Sequence, residues 1–173
     1  MICHGCENDL KEVARLTAYD DLPLQTIKNS RITYTDSAVL QFVVEAGVID
    51  RYPSPEEDAR DEFSKGIRVI TYSKSGEFES QIDAENATNY PRKKLMIARD
   101  SVVLKNYEGK MLETELLTWD EKENRIYTDK FVKITTKNEI LFGDGLDAKS
   151  DFSEYEIQNI KGRIKVESDE MEP

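Results

Sequence analysis

Few side chains in this sequence could do covalent or metal chemistry, and the most conspicuous sit together at its start, Cys3, His4 and Cys6 in Met-Ile-Cys-His-Gly-Cys. A thiol redox pair needs its first Cys at a helix N-terminus that follows a buried strand. Met1 and Ile2 cannot supply that strand. A structural zinc site takes four ligands, and with two Cys and one His in all, one chain offers at most three. Haem attachment wants His directly after the second Cys, where Glu7 stands. The remaining chemistry is an address. Gly5-Cys6 is the small-residue-then-Cys end of a bacterial lipoprotein signal, whose apolar part would lie upstream, and diacylation of Cys6 would anchor a domain through a polar leader. Lipidation, an inert tail, and redox or metal chemistry are the three readings of this end.

Elsewhere catalytic constellations do not assemble. With His4 the one histidine, no Ser/His/Asp or Cys/His arrangement can form away from the N-terminal segment. The carboxylate pairs Asp144/Asp147 and Glu113/Glu115 have the residue types of acid–base catalysts, but on strands such pairs ordinarily belong to a solvated face. Phe142-Gly143-Asp144-Gly145 lacks the Gly-Lys-Ser/Thr that completes a phosphate loop, so Gly143 and Gly145 read as a bulge or a close backbone approach. The expectation is a protein that is not an enzyme and uses no cofactor and no metal.

Charge narrows the partners. There are 35 acidic and 24 basic residues, a net charge of −11. Nucleic acid has no electrostatic reason to bind, nor have anionic membrane surfaces through protein charge alone. No stretch approaches the ~20 apolar residues of a membrane-spanning helix, and the first residues lack the apolar core of a secretory signal. A length of 173 residues suits one domain with a continuous core.

The elements that position these residues are strands. Between residues 98 and 148, runs rich in Val, Ile, Leu, Thr and aromatics alternate with polar turns at 106–110, 120–124 and 137–139. Val102 and Leu104 share one parity, as do Leu112, Thr114 and Leu116, and then Val132 and Ile134, which puts each set on one face of a pleated strand. The opposite face carries Lys105, Glu113, Glu115, Lys133 and Thr135, interrupted by Val103 and Phe131. Residues 86–104 can be laid over 116–134 so that Val102 falls on Val132, which reads either as a repeat of about thirty residues or as an ordinary meander whose strands look alike by composition.

Upstream, residues 9–19 have Leu10, Val13, Ala14 and Leu16 at helical spacing and predict a short linker helix. Residues 27–36 predict a strand, and 38–50 another, whose even positions Leu40, Phe42, Val44, Ala46 and Val48 form an apolar file. Residues 51–64, with two Pro and a run of acids, predict a mobile loop. Strands follow at 66–72 and 78–87, joined at Ser75-Gly76. At the C-terminus, 155–160 and 163–166 predict a last strand pair turning at Lys161-Gly162, before an acidic tail.

The sequence therefore predicts an all-β fold, a single antiparallel twisted β-jellyroll or open sandwich with a short N-terminal helix or linker. Residues 1–25 form a leader, 26–167 the jellyroll, and 168–173 the tail. A sheet that is apolar on one face, with no helix long enough to cover it, has to fold that face inward as a sandwich, barrel or groove. Leu40, Phe42, Val44, Val102, Leu104, Leu112, Leu116, Val132 and Ile134 are expected to line that one interior. A long groove open at both ends suits a chain-like ligand. The plain alternative is a β-sandwich interaction module of the cell envelope whose interior is only core.

The order Leu112-Glu113-Thr114 through Trp119-Asp120, then Ile126-Tyr127-Thr128-Asp129, Val132-Lys133-Ile134 and Gly143-Asp144-Gly145-Leu146 resembles the LptC component of lipopolysaccharide export in its Bacteroidetes-type form. The likeness covers roughly residues 25 to 166. It implies a jellyroll that faces the periplasm from the inner membrane, takes lipopolysaccharide from the inner-membrane ABC transporter into an apolar groove, and passes it to an LptA-like bridge protein by edge-to-edge stacking. The sequence departs from that pattern in lacking an N-terminal membrane helix, which lends weight to Cys6 as the anchor. The partner edge is then expected at Tyr155, Ile157, Ile164 and Val166, with the N-terminal edge toward the transporter.

Overall fold

The computed structural model describes residues 22–54 and 59–166. Among these residues the only regular elements are strands: β1 Gln25–Asp36, β2 Val39–Tyr52, β3 Arg60–Tyr72, β4 Phe78–Ala84, β5 Asn86–Tyr90, β6 Leu95–Asn106, β7 Met111–Asp120, β8 Arg125–Thr135, β9 Glu139–Lys149 and β10 Tyr155–Lys165. They form one antiparallel sheet in the order β1-β2-β3-β4-β6-β7-β8-β9-β10. β4 and β5 act as two halves of one strand broken at Glu85, both lying between β3 and β6. The Cys6 segment, the 9–19 helix and the acidic tail predicted from sequence lie outside the described residues.

A line of irregularities crosses the whole sheet and bends it. Register shifts fall at Ala46/Val48, Arg99/Val102, Thr114/Thr118, Thr128/Phe131 and Ile160/Gly162. Left-handed backbone marks the same line at Asn29, Lys65, Gly66, Asp100, Ser101 and Gly145. Each bulge adds twist and re-aims the side chains beyond it, so the two halves of every long strand come to lie in two facing layers. Inward positions change parity across the line, from Val44 and Ala46 to Ile49 on β2, and from Leu112 to Leu117 on β7. One apolar face thus serves both layers, and the sheet covers itself as a jellyroll-like sandwich.

The core shows the result. Val102, Leu104, Leu112, Val132 and Ile134 are fully buried in one cluster with Ile126, Leu146 and Phe152. Burying side chains of this size is worth about 1.5–3 kcal/mol each, which offsets the entropy of ordering so long a meander. The about thirty-residue repeat is visible as geometry. Val132 and Ile134 occupy in β8 the places that Val102 and Leu104 occupy in β6, and the turns at 91–94 and 121–124 each end on a left-handed residue, Lys94 (φ 54°) and Asn124 (φ 50°).

Two sequence expectations are corrected. Within the predicted loop over residues 51–64, residues 51–52 and 60–64 are strand. β2 continues to Tyr52 and β3 starts at Arg60, paired Tyr52 to Arg60 through Ile49 to Phe63. Phe63 is buried in the core, and the charges that made the stretch read as loop neutralise one another, Arg51 with Asp61 at 2.8 Å and Arg60 with Glu62 at 2.6 Å. The predicted C-terminal hairpin is instead a single strand. Lys161-Gly162 is a bulge at which β10 stays on β9, because β9 has a whole unpaired edge to offer.

Candidate functional site

The predicted interior residues do not all share one environment. Val102, Leu104, Leu112, Val132 and Ile134 lie together in the core, with Val44 packed against it. Leu40 and Phe42 are half-buried at the start of β2, near the β1–β2 turn. Leu116 is off this face: it sits inside the Thr114/Thr118 register shift opposite Arg99, and its neighbour Leu117, 2% exposed, takes the inward position. Strict alternation over 112–116 could not reveal a bulge that turns the strand over. Sequence reasoning also missed Ile49, Ile126, Leu146 and Phe152. The first three follow from the same parity rule once the bulges are placed, whereas Phe152 had no periodic signal.

The two layers join at the bulge line and face each other across a mouth lined by turns. Part of that mouth is closed by residues 150–154, which follow β9. Phe152 is fully buried, with a left-handed backbone (φ 55°) that turns its ring inward, stacked on Tyr155 at 5.2 Å. Its carbonyl accepts from Asn106 Nδ2 at 3.2 Å, and the Ser153 carbonyl accepts from Lys110 Nζ at 2.8 Å, so the opposite layer holds the segment down. Burial pushes the Tyr155 hydroxyl above its ordinary range, reinforced by the Glu139 carboxylate and opposed by Lys110.

The other part of the mouth is open. A cavity of about 310 Å³ lies between Tyr34, Phe42 and Glu79 of one layer and Trp119, Glu121 and Asn124 of the other. Tyr34 and Phe42 stack at 4.8 Å. Burial, and then the nearby Asp151 charge, raise the Glu79 carboxyl, while a hydrogen bond with Thr71 acts the other way. Inward of this opening, Ile67, Val69, Ile82, Ala98, Leu117 and Trp119 bound a cleft of only about 10 Å³, room for no more than about one water. This cleft as it stands has no room for an acyl chain.

Three of the four carboxylates with catalytic potential make ion pairs. Glu113 pairs with Lys133 at 2.6 Å, Asp147 with Arg125 Nε at 2.7 Å, and Asp144 with Lys161. Gly143 marks a close approach, since a Cβ there would lie 2.4 Å from Ile157 Cγ2 and 2.5 Å from the Asn159 carbonyl oxygen. Among the described residues no helix is long and apolar enough to cross a membrane.

Among the described residues both end strands of the sheet keep one edge unpaired, β1 hydrogen-bonded to β2 alone and β10 to β9 alone. A folded sheet with an apolar interior and two free edges agrees with what comparison of sequences finds. The family model for lipopolysaccharide-assembly, LptC-related proteins matches residues 11–165. The chain belongs to the LptC-related family. No curated protein matches it. Membership gives this protein a role in lipopolysaccharide transport and envelope biogenesis at the level of the family, one of transport components rather than enzymes. The match covers all ten strands, in agreement with the resemblance seen over roughly residues 25 to 166.

On β10 and at Val166 just after it, the predicted partner-edge residues divide. Tyr155 and Ile157 turn inward and pack on the core. Ile164 and Val166 are 53% and 43% exposed.

Proposed function

We propose that this protein receives lipopolysaccharide from the inner-membrane ABC transporter, holds its acyl chains between the two layers of the folded sheet, and passes it to a periplasmic LptA-like bridge protein. The observation that carries this reading is the single apolar face enclosed between two free edges. An unpaired strand offers a row of N–H and C=O groups to another sheet, and pairing by β-augmentation would run one apolar interior into the next. The β10 edge would meet the bridge protein and the β1 edge the transporter. Cys6, if diacylated, would hold the domain at the periplasmic face of the inner membrane, two chains at ~0.8 kcal/mol per buried methylene being enough for stable anchoring.

The interaction-module alternative predicts an interior that is only core. Purified protein, analysed by native mass spectrometry before and after delipidation, distinguishes the two. Bound acylated lipid lost on delipidation supports the carrier. A single unliganded mass from envelope-derived protein, with no uptake of added lipopolysaccharide, sinks it. For the anchor, Cys6→Ser expressed with its natural leader should move the protein to the soluble fraction, and unchanged membrane retention would count against lipidation.

A further inference from the structure

We propose that a single acyl chain enters the interior tail-first through the cavity between Tyr34, Phe42 and Trp119, with Trp119 as the gate, while the part of the mouth under Phe152 stays closed. The inference rests on the carrier reading and adds where the hydrocarbon passes and what moves to admit it. Trp119 belongs to two walls at once. One side of it faces the open cavity of about 310 Å³, and it also bounds the shut apolar cleft. Its indole, partly buried and packed against the core cluster, is the partition between them. Turning one partly exposed ring joins cavity to cleft, and the cleft wall of Ile67, Val69, Ile82, Ala98 and Leu117 offers nothing for a polar group to bond.

The Phe152 side is a poorer route. Opening it would unpack a fully buried aromatic and break the Asn106 and Lys110 bonds to the 150–154 backbone. Charge separates the ends of the ligand at the open side. Asp36, Glu79 and Glu121 line the cavity, and among the described residues no Lys or Arg does. Carboxylates there oppose a phosphate-bearing headgroup and leave an uncharged hydrocarbon unaffected. The stacked rings of Tyr34 and Phe42 give the chain a flat apolar wall on the way in.

Trp119 is the only tryptophan in the sequence, so its emission reports on the gate directly. The test titrates the full chain with an alkyl maltoside whose tail carries two bromines, below its micellar concentration, against the unbrominated compound, with calorimetry measuring total binding. Contact with bromine should quench Trp119 saturably, and the unbrominated tail should bind without quenching. Phe42→Glu, which sets a charge on the path, should weaken binding about tenfold or more. Tyr34→Glu on the exposed edge strand should act in the same direction, and Phe131→Glu on the outer face should leave binding unchanged. Binding by calorimetry without quenching, or quenching indifferent to both mouth variants, overturns the portal while the carrier reading stands. No binding of either maltoside by either method overturns both.

Discussion

The side-chain nitrogen of Asn106 donates a 3.2 Å hydrogen bond to the carbonyl of Phe152, which is 46 residues further along the chain and on the opposite layer. The same buried side chain builds its own turn, Oδ1 accepting from the backbone N–H of Glu108 at 3.1 Å and of Lys110 at 3.0 Å. One amide therefore shapes the β6–β7 turn and fastens the segment that closes the mouth. Asn106→Asp keeps the acceptor and loses the donor, setting a carboxylate against a carbonyl. A loss of about 1–3 kcal/mol in urea unfolding is expected, with earlier proteolysis in residues 150–154. An unchanged midpoint would show that the tie carries no stability.

Phe152 should be the costliest truncation at the mouth. It is the largest of the fully buried side chains, and removing such a ring leaves a cavity as well as lost transfer energy. Phe152→Ala is expected to cost about 3–5 kcal/mol. Phe152→Leu, which keeps most of the volume, should cost clearly less. Equal effects of the two would mean that the left-handed backbone, not the packing of the ring, is what matters at this position.

Glu79 gives the fold a pH dependence of a definite sign. Burial, with Asp151 nearby, holds its carboxyl above the ordinary range, so the folded chain keeps that proton more firmly than the unfolded one. Its contribution to stability is fully present at low pH and is lost as pH rises through the folded value. Glu79→Gln should therefore raise the melting temperature near pH 7, and the gain should shrink toward pH 4, close to the unperturbed carboxylate. A gain that grew as pH fell would reverse the sign.

How much was legible follows from where the period of two holds. Val102 with Leu104, and Val132 with Ile134, sit in unbroken half-strands, and simple alternation found them. At Leu116 it failed, because a bulge between Thr114 and Thr118 is a backbone event without a side-chain signature there. At Gly145 the left-handed backbone was foreshadowed by the residue type, whereas Asp100 and Ser101 adopt it with no glycine to announce it. Arg60 to Glu62 read as loop because charge was counted without the ion pairs that neutralise it, one across to Arg51 and one along β3. Phe152 depends on contacts 46 residues away, beyond any local pattern. The open cavity at Trp119 likewise exists only once the sheet has folded over.

The β10 edge yields the sharpest test of partner pairing, and the register decides which residue to change. Proline removes a backbone donor, so Ile164→Pro is the obvious disruption of an exposed apolar edge. Yet Val166 N–H donates to the Asn138 carbonyl at 2.9 Å. Donors on an antiparallel strand alternate with a period of two, so the Ile164 N–H also points back to β9, opposite Ile140. The donors that face a newcomer belong to Arg163 and Lys165. Lys165→Pro should thus leave thermal stability nearly unchanged and weaken capture of an LptA-like partner. Ile164→Pro should lower stability as well, since it breaks the ladder that holds β10 in place. Matched pull-down and melting measurements on the two variants read this difference. If Lys165→Pro retained full partner binding, or crosslinks led instead to the acidic residues between β2 and β3, β10 would not be the transfer edge, whatever its exposure.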